Sequence, residues 1–470
     1  LCLSLISYFR SILPSRLIVL VLLFLAIQLP LILLGIPATA PELLHMLVGE
    51  RLADGYAMYR DTFDNTAPLS ALVFWLLDVT AGRSFLAYRL TALGLLLLQA
   101  LLLNSILNRH NVYPSKSYLP ALIYLVLGSL SFEFNMLTPL LIGNTFIILS
   151  LPYIITLSRE GYENNRLFVG GFMLGLAAMS YLPLAMFLVM GLLAVVFFAS
   201  RTFRSSLLLI CGFAFPYAVL MTYYMYTDTT AEFIELHLLR PWHLQVAFLR
   251  PPADVAKLMA IPALVLLVSI FSAASLPQRL VFQVKFQQLM WVWLVVSFLV
   301  IFTRDEITVA TFILVLPTIA YFSEFFFSSG RKRWILNTFF LVMLLCVLVL
   351  RYRLKLGINQ YLMLDESPLL LHQDQKIPLE NSTVLVLGND IDYYIQNKPI
   401  TPYLNWELAQ RHFGRLNEYQ AIYEIHENLR HEMPTHIVDK AGLMPELSYK
   451  LPSIFGRYER TDTPDVYRLK

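Results

Sequence analysis

Eleven apolar runs limit what this chain can fold into. The first follows Arg10 and Arg16 and continues for about twenty residues. The others lie near 85–107, 118–132, 135–157, 167–181, 183–200, 205–226, 255–274, 288–303, 307–327 and 334–351. About twenty apolar residues is the length an α-helix needs to cross the hydrocarbon core of a bilayer. Composition agrees: the chain is 57% hydrophobic and only 14% charged, whereas soluble domains carry about 25% charged residues. The expectation is a polytopic α-helical membrane protein with about eleven transmembrane helices, several of them tilted, broken or re-entrant because their runs are short. The first run, longer than the apolar core of a cleaved signal, reads as an uncleaved signal-anchor. Net charge is +3 with no block of Lys or Arg, so nothing points to nucleic acid. Cys2, Cys211 and Cys346 form neither a disulfide framework nor a zinc pattern.

The loop charges orient the spans. With the N-terminus placed in the cytoplasm, the inside loops carry Arg109 and Lys116; Arg159 and Arg166; Arg201 and Arg204; Arg279 and Lys285; and Arg331, Lys332 and Arg333. Every inside loop then obeys the positive-inside rule. The segment 68–82, "PLSALVFWLLDVTAG", must stay out of that count, because a crossing there would invert every later loop. It reads as an interfacial helix on the outer side. The large outer loops are 37–84 and 227–254. From 352 to 470 the composition turns polar, with strand-like runs "STVLVLG" (382–388), "THIVDK" (435–440) and "PDVYRLK" (464–470) and helical spacing over 405–432. These predict a small extracytoplasmic α/β domain after a membrane module at 1–351.

The first outer loop keeps five carboxylates in a chain that otherwise avoids charge: Glu42, Glu50, Asp54, Asp61 and Asp64. Acids collect outside membranes simply because they are costly within. Here, however, Glu42 directly follows the first span. The spacing of Leu43, Leu44, Leu47 and Leu52 predicts a helix that leaves Glu42 off its apolar face, beside lipid headgroups. Glu133, in "SFEFN" between two spans, is either a functional intramembrane charge or part of a short outer turn. The 227–254 loop sets His237, Arg240, Trp242, His243 and Arg250 among apolar residues, as suits an interfacial segment.

In this loop the chain resembles the GT-C superfamily of membrane glycosyltransferases, in particular bacterial relatives of protein mannosyltransferases and aminoarabinose transferases. The resemblance runs through Glu42 after the first span, "ERLADGYAMYRDTFDNTAPL", and "TAGRSFLAYRLTAL" with Arg89. Looser echoes follow in order at 169–193, at 303–322 with Arg304 and Pro317, and at 384–406. The chain departs where many relatives keep a second acid (here Pro41), a Pro-Pro pair (here Ala67-Pro68), a His-Tyr before the late proline, and a basic residue near Tyr181.

The resemblance implies a GT-C-like membrane module and transfer of a sugar, of hexosyltransferase type, from a polyprenyl-phosphate donor to a lipid, glycan or protein acceptor. The reaction would take place at the outer face of the cytoplasmic (inner) membrane. Such chemistry needs a general base for the acceptor and cationic stabilisation of the phosphate leaving group. Glu42 is the candidate base. Asp61 and Asp64 would orient the acceptor or bind a divalent cation, Mg or Mn. Arg304, Arg60 and Arg240 are the candidate phosphate partners, since guanidinium binds phosphate bidentately. Each has a plainer reading. Glu42 could be an ordinary interfacial acid, Asp61 and Asp64 turn residues beside Asn65 and Pro68, Arg304 a local partner of Asp305 and Glu306, and Arg89 a partner of Asp78. Two other classes stay open: a GT-C-fold subunit that has lost catalysis, and a transporter or flippase of a lipid-linked substrate. The charges gather at the outer edge with no internal repeat, which favours surface chemistry over transport.

Overall fold

A computed structural model describes residues 5–155, 164–198, 202–242, 248–274, 280–303, 307–372, 379, 381–400 and 402–470. Each apolar run contributes helix over its described residues. In chain order the main helices are α1 (Pro14–Leu33), α2 (Ala40–Ala53), α3 (Pro68–Ala81), α4 (Phe85–Arg109), α5 (Leu119–Leu127), α6 (Pro139–Ile154), α7 (Asn164–Ser180), α8 (Phe187–Phe198), α9 (Thr202–Tyr226), α10 (Pro252–Ala274), α11 (Val281–Ile301), α12 (Leu316–Phe327), α13 (Arg333–Arg351), α14 (Trp406–Phe413), α15 (Tyr419–His431) and α16 (Met444–Lys450). Pro14, Pro68 and Pro139 each open a helix, where the missing N–H costs nothing and the fixed φ suits the first turn. Pro30, Pro216 and Pro262 lie inside helices, which membrane helices tolerate because neighbours satisfy the freed carbonyls.

Among the described residues, 7 helical stretches are long and apolar enough to cross a membrane: Pro14–Leu33, Phe85–Arg109, Phe203–Tyr226, Pro252–Ala274, Val281–Ile301, Val309–Phe327 and Arg333–Arg351. The protein is a polytopic α-helical membrane protein that also carries a small α/β sheet. Of the run 118–132, only the nine residues of α5 form an α-helix, closed by Gly128. That helix is about 14 Å long, half a bilayer core. The chain then turns through a 3-10 segment, Phe132–Asn135. A broken element of this kind survives at membrane depth only when surrounded by protein, and every residue of α5 is buried.

The chain divides into two compact units, one formed by Leu1–Ile36, Leu86–Tyr226 and Pro241–Pro368, the other by Pro37–Phe85, Thr227–Arg240 and Leu369–Lys470. In the first, the helical unit, α7 and α9 cross at close range. A Cβ on Gly171 would lie 2.0 Å from the Leu209 carbonyl oxygen, and one on Gly212 2.1 Å from that of Phe168. Small residues let membrane helices meet backbone to backbone. Gly212→Ala is therefore expected to destabilise this unit by about 1–3 kcal/mol. Gly94→Ala, in α4 with nothing within 4 Å, should instead be neutral or mildly stabilising. Thermal unfolding in detergent separates the two outcomes.

Several buried polar groups of the helical unit are paired within it. Gln99 donates to the Leu141 carbonyl at 2.7 Å and to Thr145 Oγ1 at 2.8 Å, and accepts from Tyr124 Oη at 2.6 Å and Asn144 at 2.9 Å. Arg351 donates to the carbonyls of Ile27 and Ser129, each at 3.1 Å, and to Gln28. Arg89 donates to the Ile36 carbonyl at 2.9 Å.

In the second, mixed unit, a five-stranded sheet runs in the order β2-β1-β3-β5-β4, with β1 (Thr383–Leu387), β2 (Lys398–Pro399), β3 (His436–Asp439), β4 (Tyr458–Arg460) and β5 (Val466–Leu469). β1 pairs in parallel with β2 and β3; β5 runs antiparallel to β3 and β4. The three predicted strands are present. The helical spacing over 405–432 becomes two helices, because α14 ends at Gly414, whose N–H donates back to the Gln410 carbonyl. The two-residue β2 and three-residue β4 are too short to leave an alternating pattern in sequence.

The acidic loop belongs to this unit. Ala40 N–H donates to the Leu369 carbonyl and Leu371 N–H to that of Ala38, each at 3.0 Å. Arg83 pairs with Glu50 and also donates to the Tyr394 carbonyl at 2.6 Å and the Asn397 carbonyl at 3.1 Å. The segment 68–82 becomes α3, with fourteen residues and a length of about 21 Å, short of the ~30 Å hydrocarbon core. Leu72, Trp75, Leu76 and Val79 are exposed along it, an apolar stripe at helical spacing.

Candidate functional site

Three segments of the mixed unit supply its site residues: 37–85, 227–240 and 402–428. Glu42 lies in the first turn of α2 and is only 1% exposed. The sequence pattern had placed it off the apolar face. It instead turns inward with Leu43, Met46 and Leu47, so it is no exposed headgroup neighbour. The helix N-terminus supplies partial positive charge to a carboxylate there.

After α2 the chain makes a tight turn. Tyr59 holds φ at 71°, an unusual left-handed conformation for a bulky residue. It is kept there by its N–H on the Thr62 carbonyl at 3.2 Å and its hydroxyl on that of Thr66 at 2.8 Å. Asp61 closes the turn, accepting from Ala57 N–H at 2.8 Å and bidentately from Arg60 at 2.9 and 3.0 Å. Burial works to raise its pKa, but the Arg60 and Ala57 hydrogen bonds prevail and hold it below the usual carboxylate value. The structure thus pairs Asp61 with Arg60.

Asp64 differs. It is buried, its Oδ1 accepts from Thr66 N–H at 2.7 Å, and Asn405 donates to it. Burial pushes its pKa up, against those hydrogen bonds and the pull of Arg240. Arg240 thus lies within electrostatic reach of Asp64, and Asn405 is hydrogen-bonded to it.

The neighbouring residue ties the loop to the α/β fold. Phe63 N–H donates to the Pro402 carbonyl at 2.9 Å, and its ring meets Tyr403 and His412 edge-on at 5.8 and 5.4 Å. Arg411 lies over that ring at 4.9 Å and reaches Glu235 at 3.3 Å. His412 is held between Glu424 at 2.5 Å and the Tyr403 hydroxyl at 3.0 Å. Burial and Arg411 push its pKa down to about 4, against Glu424. His237 is fully buried, stacked on Phe233 at 5.2 Å, and burial pushes its pKa down to about 3.

These shifts make stability depend on pH. An unfolded histidine titrates near 6.5. With both folded pKa values lower, the unfolded chain binds more protons between about 4 and 6.5, and stability falls as the medium is acidified. Asp64, with its pKa raised, works the other way and offsets part of the loss. The unfolding temperature of the intact protein should drop between pH 7 and pH 4.5, and His237→Phe should flatten the slope. An unchanged slope in that variant would remove His237 from the account.

Arg304, with Asp305 and Glu306, lies outside the described residues, as does His243. Among the described residues no three of His, Cys, Asp and Glu converge as a metal-ion site, and Asp61 already has both oxygens engaged.

The helical unit holds a second charged constellation. Glu133 pairs with Arg250 at 3.1 Å and with Arg353 at 3.9 Å, and its Oε2 accepts from Val309 N–H at 2.9 Å. Glu366 pairs with Arg250 and, at 2.8 Å, with Arg353. All four side chains are buried. Sequence reasoning singled out Glu133 and Arg250 but not Arg353 or Glu366. The available signal was basic Arg351 and Arg353 on the predicted outer side, against the positive-inside rule.

The fold thus defines a multi-pass membrane protein with an acid-bearing loop built into a small α/β unit. No family model and no curated protein matches the chain. Two solved structures align with it: the Archaeoglobus fulgidus oligosaccharyltransferase in the apo form and the archaeal oligosaccharyltransferase AglB from Archaeoglobus fulgidus in complex with an inhibitory peptide and a dolichol-phosphate. The first gives a TM-score of 0.42 at 11% identity, covering 90% of this chain and 69% of that one. The second gives 0.41 at 10%, covering 92% and 70%.

Proposed function

We propose that the protein is a GT-C-type glycosyltransferase that moves a sugar from a polyprenyl-phosphate donor to an acceptor at the outer face of the cytoplasmic membrane. The single observation that carries this reading is Glu42: a carboxylate 1% exposed, in the first turn of the helix that follows the first span. A buried acid survives there only with a partner or a purpose, and its position is where the resembled family keeps its acid. Glu42 acts as general base toward the acceptor. Asp64, oriented by Asn405, positions the acceptor. Arg240, within electrostatic reach of Asp64, is the phosphate partner this unit supplies, with Arg304 as a second. Arg60 and Asp61 neutralise one another and shape the turn. Asp61 and Asp64 do not fit a cation site, and no step here runs through a metal.

The test is the lipid that accompanies the protein. Purified from its native membrane in mild detergent, it should carry a polyprenyl phosphate or its glycosylated form near one per chain, identified by mass spectrometry. Purification with phospholipid alone would count against the donor class.

A further inference from the structure

Asp64 and Arg240 come from segments far apart in the chain, and α14 touches both segments. The N-cap of α14 is Asn405, whose Oδ1 accepts from Glu407 N–H at 3.0 Å. An asparagine donates only through its amide nitrogen, so with the oxygen held by the cap it is the nitrogen that serves Asp64.

Further along α14, Arg411 is engaged on three sides. Its Nε donates to His412 Nε2 at 3.1 Å, its Nη1 donates to Glu235 at 3.3 Å, and its central carbon lies 4.9 Å from the centre of the Phe63 ring. Phe63 directly precedes Asp64. Glu235 sits in the π-helical turn Ile234–Leu239, which runs straight into Arg240. Turns of this widened kind are frequent at functional sites. His412 gives the guanidinium a firm seat, because it is itself buried between Glu424 and the Tyr403 hydroxyl. One helix therefore holds Asp64 at its start and grips the neighbours of both Asp64 and Arg240 near its end.

Stability alone gives little reason for the grip. Arg411 and Glu235 are 31% and 60% exposed, and an exposed ion pair contributes little to folding. Geometry gives a better one. A misplacement of about 1 Å can cost roughly 10²-fold in rate, even from a change far from the reacting atoms.

We propose that Arg411 is a positioning residue: by bridging Phe63 and Glu235 it sets the spacing between Asp64 and Arg240. The consequence for rate rests on the transfer reading; the bridge itself does not.

The experiment compares the full-length wild-type protein in nanodiscs with Arg411→Gln, Arg411→Lys, Glu235→Ala and the Arg411→Gln/Glu235→Ala double variant. Hydrogen exchange, resolved by peptide, reads the bridge. Arg411→Gln should speed exchange by about fivefold or more in both 57–66 and 230–240, while β1 and β3 exchange as in the wild type. Arg411→Lys, which keeps a cation for Phe63 and Glu235, should stay near wild type in both. Transfer of labelled sugar from a polyprenyl-phosphate donor reads the consequence. In Arg411→Gln kcat should fall about 10- to 100-fold with donor KM within a few-fold, and Arg411→Lys should recover to within about threefold. The double variant should be no worse than Arg411→Gln, since both changes break one link. Unchanged exchange in either segment overturns the bridge and leaves the transfer reading standing. Faster exchange in both, from a protein whose wild type transfers no sugar, sustains the bridge and overturns the transfer reading. Full kcat in a loosened Arg411→Gln, equal loss in the lysine variant, additive losses in the double variant, or faster exchange throughout β1 and β3 overturns the positioning role.

Discussion

Glu133→Gln should destabilise the helical unit by roughly 3–5 kcal/mol, the usual cost of breaking a buried ion pair from one side. The native cluster balances two carboxylates, Glu133 and Glu366, against two guanidinium groups, Arg250 and Arg353, all buried. The amide keeps the shape and one acceptor for Val309 N–H but leaves one positive charge uncompensated. Arg351, nearby in sequence, donates to the Ile27 and Ser129 carbonyls and to Gln28; it is itself a cation and offers no relief. The second change Arg250→Gln restores neutrality, and the double variant should recover much of the loss. Thermal unfolding of the two single variants and the double variant measures the coupling directly. Additive losses would show that the four groups do not act as a unit.

Glu42→Gln should lower the transfer rate by about 10²–10⁴-fold, the usual worth of a positioned general base, while donor binding stays within a few-fold. The stability cost should be small. A carboxylate at a helix N-terminus contributes typically about 0.3–1 kcal/mol, and the glutamine retains the shape. The measurement is transfer of labelled sugar from a polyprenyl-phosphate donor by protein shown to be folded, with kcat and KM determined separately. Loss confined to KM would make Glu42 a binding residue. A folded variant with full activity would falsify its role as base.

Much of the architecture was legible in the sequence, for a physical reason. A span must hide about twenty backbone N–H and C=O groups in a helix, and only long apolar runs permit it. The β1 and β3 strands were equally visible, since a buried strand needs a short apolar run, while β5, mostly uncovered, was marked only by Val466 and Tyr467 at its start. The site was legible by type more than by environment. Glu42, Asp64 and Arg240 stand out as candidates by residue type and position, but the pattern placed Glu42 against headgroups, and the structure buries it. Its burial depends on what packs over the first turn of α2, which spacing within the helix does not encode. Asp61 looked equivalent to Asp64. Their environments differ because Arg60 engages one, while burial and Asn405, more than three hundred positions away, act on the other.

By itself the sequence determined a multi-pass helical membrane protein with an acidic loop after its first span, because both properties are written in consecutive residues. Only the tertiary structure decided which charges meet. Residues 133, 250, 353 and 366 carry no mutual spacing signal, yet they form one neutral cluster. The loop 37–85, the segment 227–240 and the tail from 369 form one compact unit. Pairing a buried charge depends on distance in space, and the chain spends more than a hundred residues between Glu133 and Arg250, which end 3.1 Å apart.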